Sequence, residues 1–302
     1  MNRLIIIGNG FDLHHELPTS YNNFRNFLED GEAWGNIKMP RNGDLLYLLD
    51  SYFYFNHNWS DFEEKLASFD IQSFVEEEGI ALVESDDDEH PMRNQAIMED
   101  SCSDKLKSLI EDLPKEINNW ICSLSYNIDS ELLVNCFDNQ DDFISFNYSS
   151  TLEKVYEINP SQIAYLHGKA SIPYQIEQIV IGHGTKHVEI PDYNTHTKSL
   201  NDIFASDIYE ESKYIYKELY KNPSKHIPKL QNIEKNAYYY NEVIILGHSL
   251  GKVDQEYFTY ISNIIRKNIP IRIYYHDKNK LSEMINYANT YFSPHKIQFT
   301  EW

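Results

Sequence analysis

The chain has 302 residues, enough to bury a sizeable core as one elaborate domain or two smaller ones. Its 47 acidic against 26 basic side chains leave a formal net charge of -21, a field that repels nucleic acid and acidic membrane surfaces, so neither is a default partner. The three cysteines, Cys102, Cys122 and Cys136, are odd in number and lack C-x-x-C spacing, which argues against a disulfide framework or a zinc site and for a reducing compartment.

The chain opens on RLIIIGNGFDLHHELPTSY, Arg3 to Tyr21. Leu4 to Ile7 show no alternation of polar and apolar residues, so they read as a strand buried on both faces, as in a parallel sheet. Gly8 and Gly10 end it, where glycine permits positive φ and close approach of another group. Thr19 or Ser20 is then a candidate N-cap for the following helix. Strand, glycine turn and helix is a phosphate-cradle pattern, which makes Gly8, Asn9, Gly10, Phe11 and Asp12 candidate nucleotide contacts. A plain tight turn is the other reading, because Leu13 occupies the third glycine position of the dinucleotide fingerprint G-x-G-x-x-G. The opening run is too short for a signal peptide and no stretch approaches the ~20 apolar residues of a membrane span, which points to a soluble, cytoplasmic protein.

Further strand-sized runs follow at Asp142 to Phe146, Gln162 to Leu166, Gln178 to Gly182, Glu242 to Leu246, Ile271 to Tyr275 and Lys296 to Thr300. Helical patterns lie between them, at Trp59 to Val83, Asp104 to Tyr126, Ser199 to Tyr220, Asp254 to Asn268 and Asn279 to Tyr291. Strands alternating with helices predict an α/β fold with a doubly wound, mostly parallel sheet. The stretch from about Asn22 to Asn135 carries no strand signal, so it reads as a large helical insertion after the first strand. The expected domains are therefore 1–21 with 136–302, and 22–135 as the insertion subdomain. Within it, Trp59 and Phe62 read as core, Asp61 and Glu63 as a solvated face or as groups aimed at a site, and Glu76 to His90 as a solvated acidic loop. No internal repeat is evident.

Three stretches place polar residues where a strand gives way to a loop, the rim at which open α/β sheets bind ligands. They are the opening stretch, ISFNYSSTLEKVY (Ile144 to Tyr156) and AYLHGK (Ala164 to Lys169). Together they resemble the sirtuin-like superfamily: Gly8, Gly10, Leu17 and Pro18 keep the spacing of its first motif, Asn147 and Tyr148 stand in the second, and His167 with Gly168 in the third. IIIGNGFDLHHELPTSY, NWSDFEEKL, SFNYSSTLEKVY, LHG, IGHG and ILGHSLGKVDQEYF, in that order, look like the AbiH family of bacterial abortive-infection proteins, over essentially the whole chain. Glu16 departs from the sirtuin pattern by replacing a glycine, and Ser149 stands where many relatives place aspartate. The zinc ribbon of the deacylases is absent, so deacylation is disfavoured.

The resemblance implies a sirtuin-like, Rossmann-like pocket that binds NAD or a related nucleotide, without metal, and cleaves its nicotinamide–ribose bond in defence against phage. Breaking that bond builds positive charge on the ribose, so the site needs an acceptor near the sugar hydroxyls and a positioned water more than a strong nucleophile. Asn147 can hold the water or a hydroxyl, and His167 can accept a proton; the bland readings are a loop asparagine and a core histidine. Asp12 either caps the next segment or reaches a ribose hydroxyl. Gly247, His248 and Ser249 look like a second nucleotide-contacting turn. The same segment also spells G-x-S-x-G, the nucleophile elbow of serine hydrolases, with Asp277 and His295 following in the required order. The alternatives are thus a serine esterase at Ser249, a metal-dependent nuclease using carboxylates such as Asp12 and Glu63, and a nucleotide-sensing module without turnover. The expected partners are a small-molecule nucleotide and either a second copy of the chain or a phage-derived trigger.

Overall fold

A computed structural model describes residues 2–31, 33–34, 37–55, 58–80, 91–135, 137–176, 178–190 and 200–302. Cys136, Ser199 and residues 81–90 of the expected acidic loop lie outside the described residues. The strands are β1 (Arg3–Ile7), β2 (Ala33–Trp34), β3 (Ile37–Lys38), β4 (Asp142–Ser145), β5 (Ile163–Tyr165), β6 (Glu242–Leu246), β7 (Pro270–Tyr275) and β8 (Lys296–Glu301). The chain forms two compact units: Met1–Asn23, Ile117–Val180 and Asn222–Trp302 make the first, Phe24–Glu116 and Ile181–Lys221 the second.

The first unit is α/β, built on a six-stranded sheet in the order β5-β4-β1-β6-β7-β8 with every pairing parallel. Its central strands are apolar throughout because both faces are covered. Leu4 and Ile6 of β1 join Val243 and Ile245 of β6 in one core, while Ile5 and Ile7 join Ile244 and Leu246 in the other. Parallel neighbours need right-handed crossovers, so the direction of travel decides which face a connection covers. From β6 to β8 the helices Gln255–Ile264 and Leu281–Phe292 bring Tyr257, Phe258, Met284 and Phe292 onto the first core. From β1 to β5 the chain travels the other way, and Phe11, Leu152, Phe137 and Tyr156 cover the second. Arg3, at the start of β1, grips the buried Asp141 carboxylate with two hydrogen bonds and so ties β1 to the approach of β4.

Six of the seven expected strand runs form, with ends moved by a residue or two; Gln178 to Gly182 does not. There Val180 gives its N–H to the His167 carbonyl outside any ladder, so the segment braces a turn rather than extending the sheet. The stretch expected to lack strands contains the two-residue antiparallel pair β2–β3, too short to leave a period in the sequence. The helix expected over Trp59 to Val83 is broken into Phe62–Lys65, Ile71–Phe74 and a π-helical turn Val75–Ile80. Asp70 is the reason: its side chain accepts from the Ser73 N–H and starts a new helix. The helix placed at Asp104 to Tyr126 runs instead from Pro91 to Cys122, and the one ending at Tyr220 divides into Leu200–Ser212 and Tyr214–Glu218.

The second unit contains β2, β3 and helices packed around aromatic side chains. Trp59 and Phe62 are fully buried there, as their spacing predicts, and Phe62 stacks on Phe55 with ring centres 5.0 Å apart. Glu63 is paired at 2.6 Å with a wholly buried Lys221, and Asp61 is exposed at the start of its short helix. No helix among the described residues is long and apolar enough to cross a membrane.

Candidate functional site

Because the sheet is parallel, β1, β4, β5 and β6 all end at one rim. Gly8 to Asp12 follow β1, Asn147 follows β4, His167 follows β5, and Gly247 to Ser249 follow β6. The strand order turns outward in both directions from β1, so the first and last of these loops are neighbours across the reversal. They are packed backbone on backbone: the Gly8 N–H donates to the Leu246 carbonyl at 3.0 Å and the Gly10 N–H to the Gly247 carbonyl at 2.7 Å. A Cβ on Gly10 would lie 2.8 Å from the Gly247 Cα, and one on Gly247 only 2.1 Å from the Phe11 nitrogen. The left-handed residue is Gly247, with φ +65°, whereas Gly8 is extended with φ -125°. The positive φ expected at the first glycine pair is therefore corrected; close approach is what these glycines supply, and what approaches is the second glycine turn.

The helix after the turn also begins earlier than the sequence suggests. Gly8 is the N-cap of a six-residue helix α1 (Asn9–His14), and Ser20 serves α2 (Tyr21–Glu29), its Oγ accepting from the Asn23 N–H at 3.2 Å. α1 closes on a Schellman pair, with Glu16 N–H to Leu13 O at 3.0 Å and Leu17 N–H to Asp12 O at 3.1 Å. Glu16 takes the left-handed position, φ +57°, where glycine is the usual choice.

Asp12 is 1% exposed and faces inward. The hydroxyls of Ser149 and Thr151 each donate to its carboxylate at 2.6 Å, and Asn147 bonds it as well. Burial pushes its pKa up to about 6 in spite of these donors. Asp12 thus anchors the loop after β4, a role neither sequence reading gave it. Asn147 donates its amide to the Gly8 carbonyl at 3.1 Å. Its carboxamide oxygen is buried with no hydrogen-bond partner among the described residues.

His167 and His248 lie on the other side of Gly8, against Phe146, whose ring centre is 5.2 Å from one and 4.4 Å from the other. A Cβ on Gly8 would stand 2.7 Å from the His248 ring, so glycine is what lets the ring close over β1. Asp254 lies between the two histidines, 3.0 Å from His167 Nε2 and 3.3 Å from His248 Nε2. The turn that presents His167 needs Gly168, at φ +86°, because a Cβ there would strike the Gln178 carbonyl at 1.7 Å. Polar groups at this rim thus form two clusters joined through Gly8: Asp12, Asn147, Ser149 and Thr151, and His167, Asp254 and His248. Asn9 and Ser249 are exposed beside the packed glycines.

Sequence reasoning missed Asp254, which reads as an ordinary helix-capping residue. It also treated Ser149 only as a departure, although its hydroxyl holds Asp12. The serine-hydrolase reading is not supported by geometry. Ser249 and Asp277 follow the carboxyl ends of β6 and β7, but His295 precedes the amino end of β8, at the opposite edge of the sheet. Strands of five or six residues separate those edges by roughly 17–20 Å, far outside hydrogen-bonding reach. The left-handed residues of the turn are Gly247 and Leu250, φ +61°, rather than the serine, as a nucleophile elbow would require. Asp12 and Glu63, named for a metal-bridged nuclease, each already have protein partners.

Comparison with curated proteins and with solved structures finds no match. The family model described as bacteriophage abortive infection AbiH matches residues 4–275, which include every rim residue named above. That span is most of the chain, and the chain belongs to the AbiH family.

Proposed function

We propose that this chain is an anti-phage abortive-infection protein whose rim binds NAD or a related nucleotide in the cytoplasm and hydrolyses its N-glycosidic bond. Family membership supports the defence role. The strand order supports a sirtuin-like or Rossmann-like site, since sheets of that order take dinucleotides where the order reverses. The observation that carries the reading is Asn147. A buried acceptor left unmet costs about 1–3 kcal/mol, and a ribose hydroxyl or a held water meets it.

In the proposed step a water oxygen bonds to the ribose C1′ while the C1′–N bond breaks and its electron pair leaves with nicotinamide. The water's proton passes to His167 and then to solvent, so NAD and water give nicotinamide, ADP-ribose and a proton. Asn147 orients the water or the ribose. The Gly8 and Gly10 amides are engaged by the β6 loop, so Asn9 and Ser249, exposed on either side, meet the pyrophosphate.

The test is calorimetric titration of the purified protein with NAD, together with chromatography of released nicotinamide, with and without lysate of phage-infected cells. Release by the wild type and its loss in Asn147→Ala and His167→Ala support the reading. Binding without release points to a nucleotide sensor, and neither binding nor release sinks it.

A further inference from the structure

We propose that His14, His276 and Trp302 form a clasp that holds the end of α1 to the sheet at neutral pH and releases it on acidification. The three rings come from separate elements: His14 is the last residue of α1, His276 follows β7, and Trp302 follows β8. They lie nearly parallel. The Trp302 ring centre is 4.4 Å from that of His14 at 21° and 5.0 Å from that of His276 at 20°, and the two imidazoles are 5.5 Å apart at 30°. Trp302 is tied to the sheet by its N–H, which donates to the Tyr275 carbonyl at 3.0 Å, and its ring also meets Phe11 and Tyr274. α1 begins in the packed glycine turns, so the clasp holds the far end of the helix that forms the first rim loop.

One charged imidazole over an indole is attracted to it, but two of them 5.5 Å apart repel unless a carboxylate stands between. The groups around His14 supply none. Burial and the charge of His276 lower the pKa of His14, and the Leu132 carbonyl opposes them only in part. His15, edge-on to His14 at 5.3 Å, is itself depressed by burial, and its ring nitrogens are taken by the Phe11 carbonyl and the Tyr156 hydroxyl. Asp12, two residues earlier in α1, is bonded to Ser149 and Thr151. Of the acids next in sequence, Glu131 and Asp277 are exposed and Glu301 is paired with Lys278 at 2.9 Å. A depressed histidine binds its proton more weakly when stacked than when released. The clasp is therefore at full strength above pH 6.5 and weakens as pH falls below it.

The experiment follows the indole N–H signals of ¹⁵N-tryptophan-labelled protein from about pH 8 to about pH 5, with Trp302 assigned by Trp302→Phe. The Trp302 signal should move to its solvent-exposed position with a midpoint below pH 6.5, and its ¹H–¹⁵N NOE should fall to that of a mobile side chain, while the buried Trp59 holds. His14→Phe keeps a stacking ring that takes no charge, so Trp302 should stay ordered down to about pH 5. A wild-type Trp302 that stays ordered throughout overturns the proposal, as does its release from His14→Phe at the same pH as from the wild type. The wild-type titration decides the matter even if His14→Phe does not fold. Asp12 gains stability on acidification, the opposite sense, so the local indole signal is read rather than global unfolding. No nucleotide is needed, and the result is independent of the hydrolysis reading.

Discussion

Replacing Asp12 with asparagine should remove a pH-dependent load on the fold. The carboxyl is almost wholly buried and its pKa is raised from an ordinary 3.8 to about 6, burial outweighing the donors from Ser149, Thr151 and Asn147. A raised carboxyl binds its proton more tightly when folded. Its contribution to stability is therefore full below pH 3.8 and is lost as pH rises through about 6. At about 1.4 kcal/mol for each factor of ten, the interval from 3.8 to about 6 comes to about 3 kcal/mol, roughly half of it between pH 5 and pH 8. Asp12→Asn keeps the shape and can still bond the two hydroxyls, one as donor and one as acceptor. The assay is urea unfolding of both proteins across that range. The variant should gain on the wild type by about 1.5 kcal/mol between pH 5 and pH 8. Other carboxyls are common to both proteins and cancel. A difference that does not change with pH would refute the reasoning, and one that changes in the opposite sense would place the folded pKa below 3.8.

Further outcomes follow from the turns at the rim. Gly247→Ala sets a Cβ 2.1 Å from the Phe11 nitrogen at φ +65°, so thermal melting by circular dichroism should show at least about 2 kcal/mol of lost stability. Gly10→Val would press on Gly247 in the same way and should report packing before it reports any ligand. Glu16→Gly should hold stability level or raise it by up to about 1 kcal/mol, since it relieves a left-handed glutamate, whereas Glu16→Val should lower the melting temperature. Ser249→Ala should keep most nucleotide hydrolysis, and a fluorophosphonate should leave the wild type unlabelled; labelling at Ser249 would revive the esterase.

The parallel sheet was legible because burial on both faces leaves a signature: "LIII" and "EVIIL" lack alternation since successive residues serve opposite cores. Gln178 to Gly182 has the same look but gains its burial by bracing the His167 turn, which no local pattern records. In the second unit, Asp70 restarts a helix that the apolar spacing alone runs straight through. At the site, residue types at strand ends located Asn147 and His167, because the topology of a parallel sheet fixes where strand ends go. The place of Asp254 was hidden, because its approach to His167 crosses from one strand connection to another. The positive φ expected of Gly8 and Gly10 fails for the same reason: their packing answers to Gly247 and His248, far along the chain.

Whether Asn147 and His167 serve cleavage of a nucleotide during phage infection is read from total NAD, and free nicotinamide, through infection by a phage that the wild-type protein restricts, in cells carrying wild type, Asn147→Ala or His167→Ala at matched protein levels. NAD should fall and nicotinamide rise in wild-type cells before lysis, while both variants hold NAD level and lose protection. Wild-type cells that abort infection with NAD and nicotinamide unchanged would contradict it.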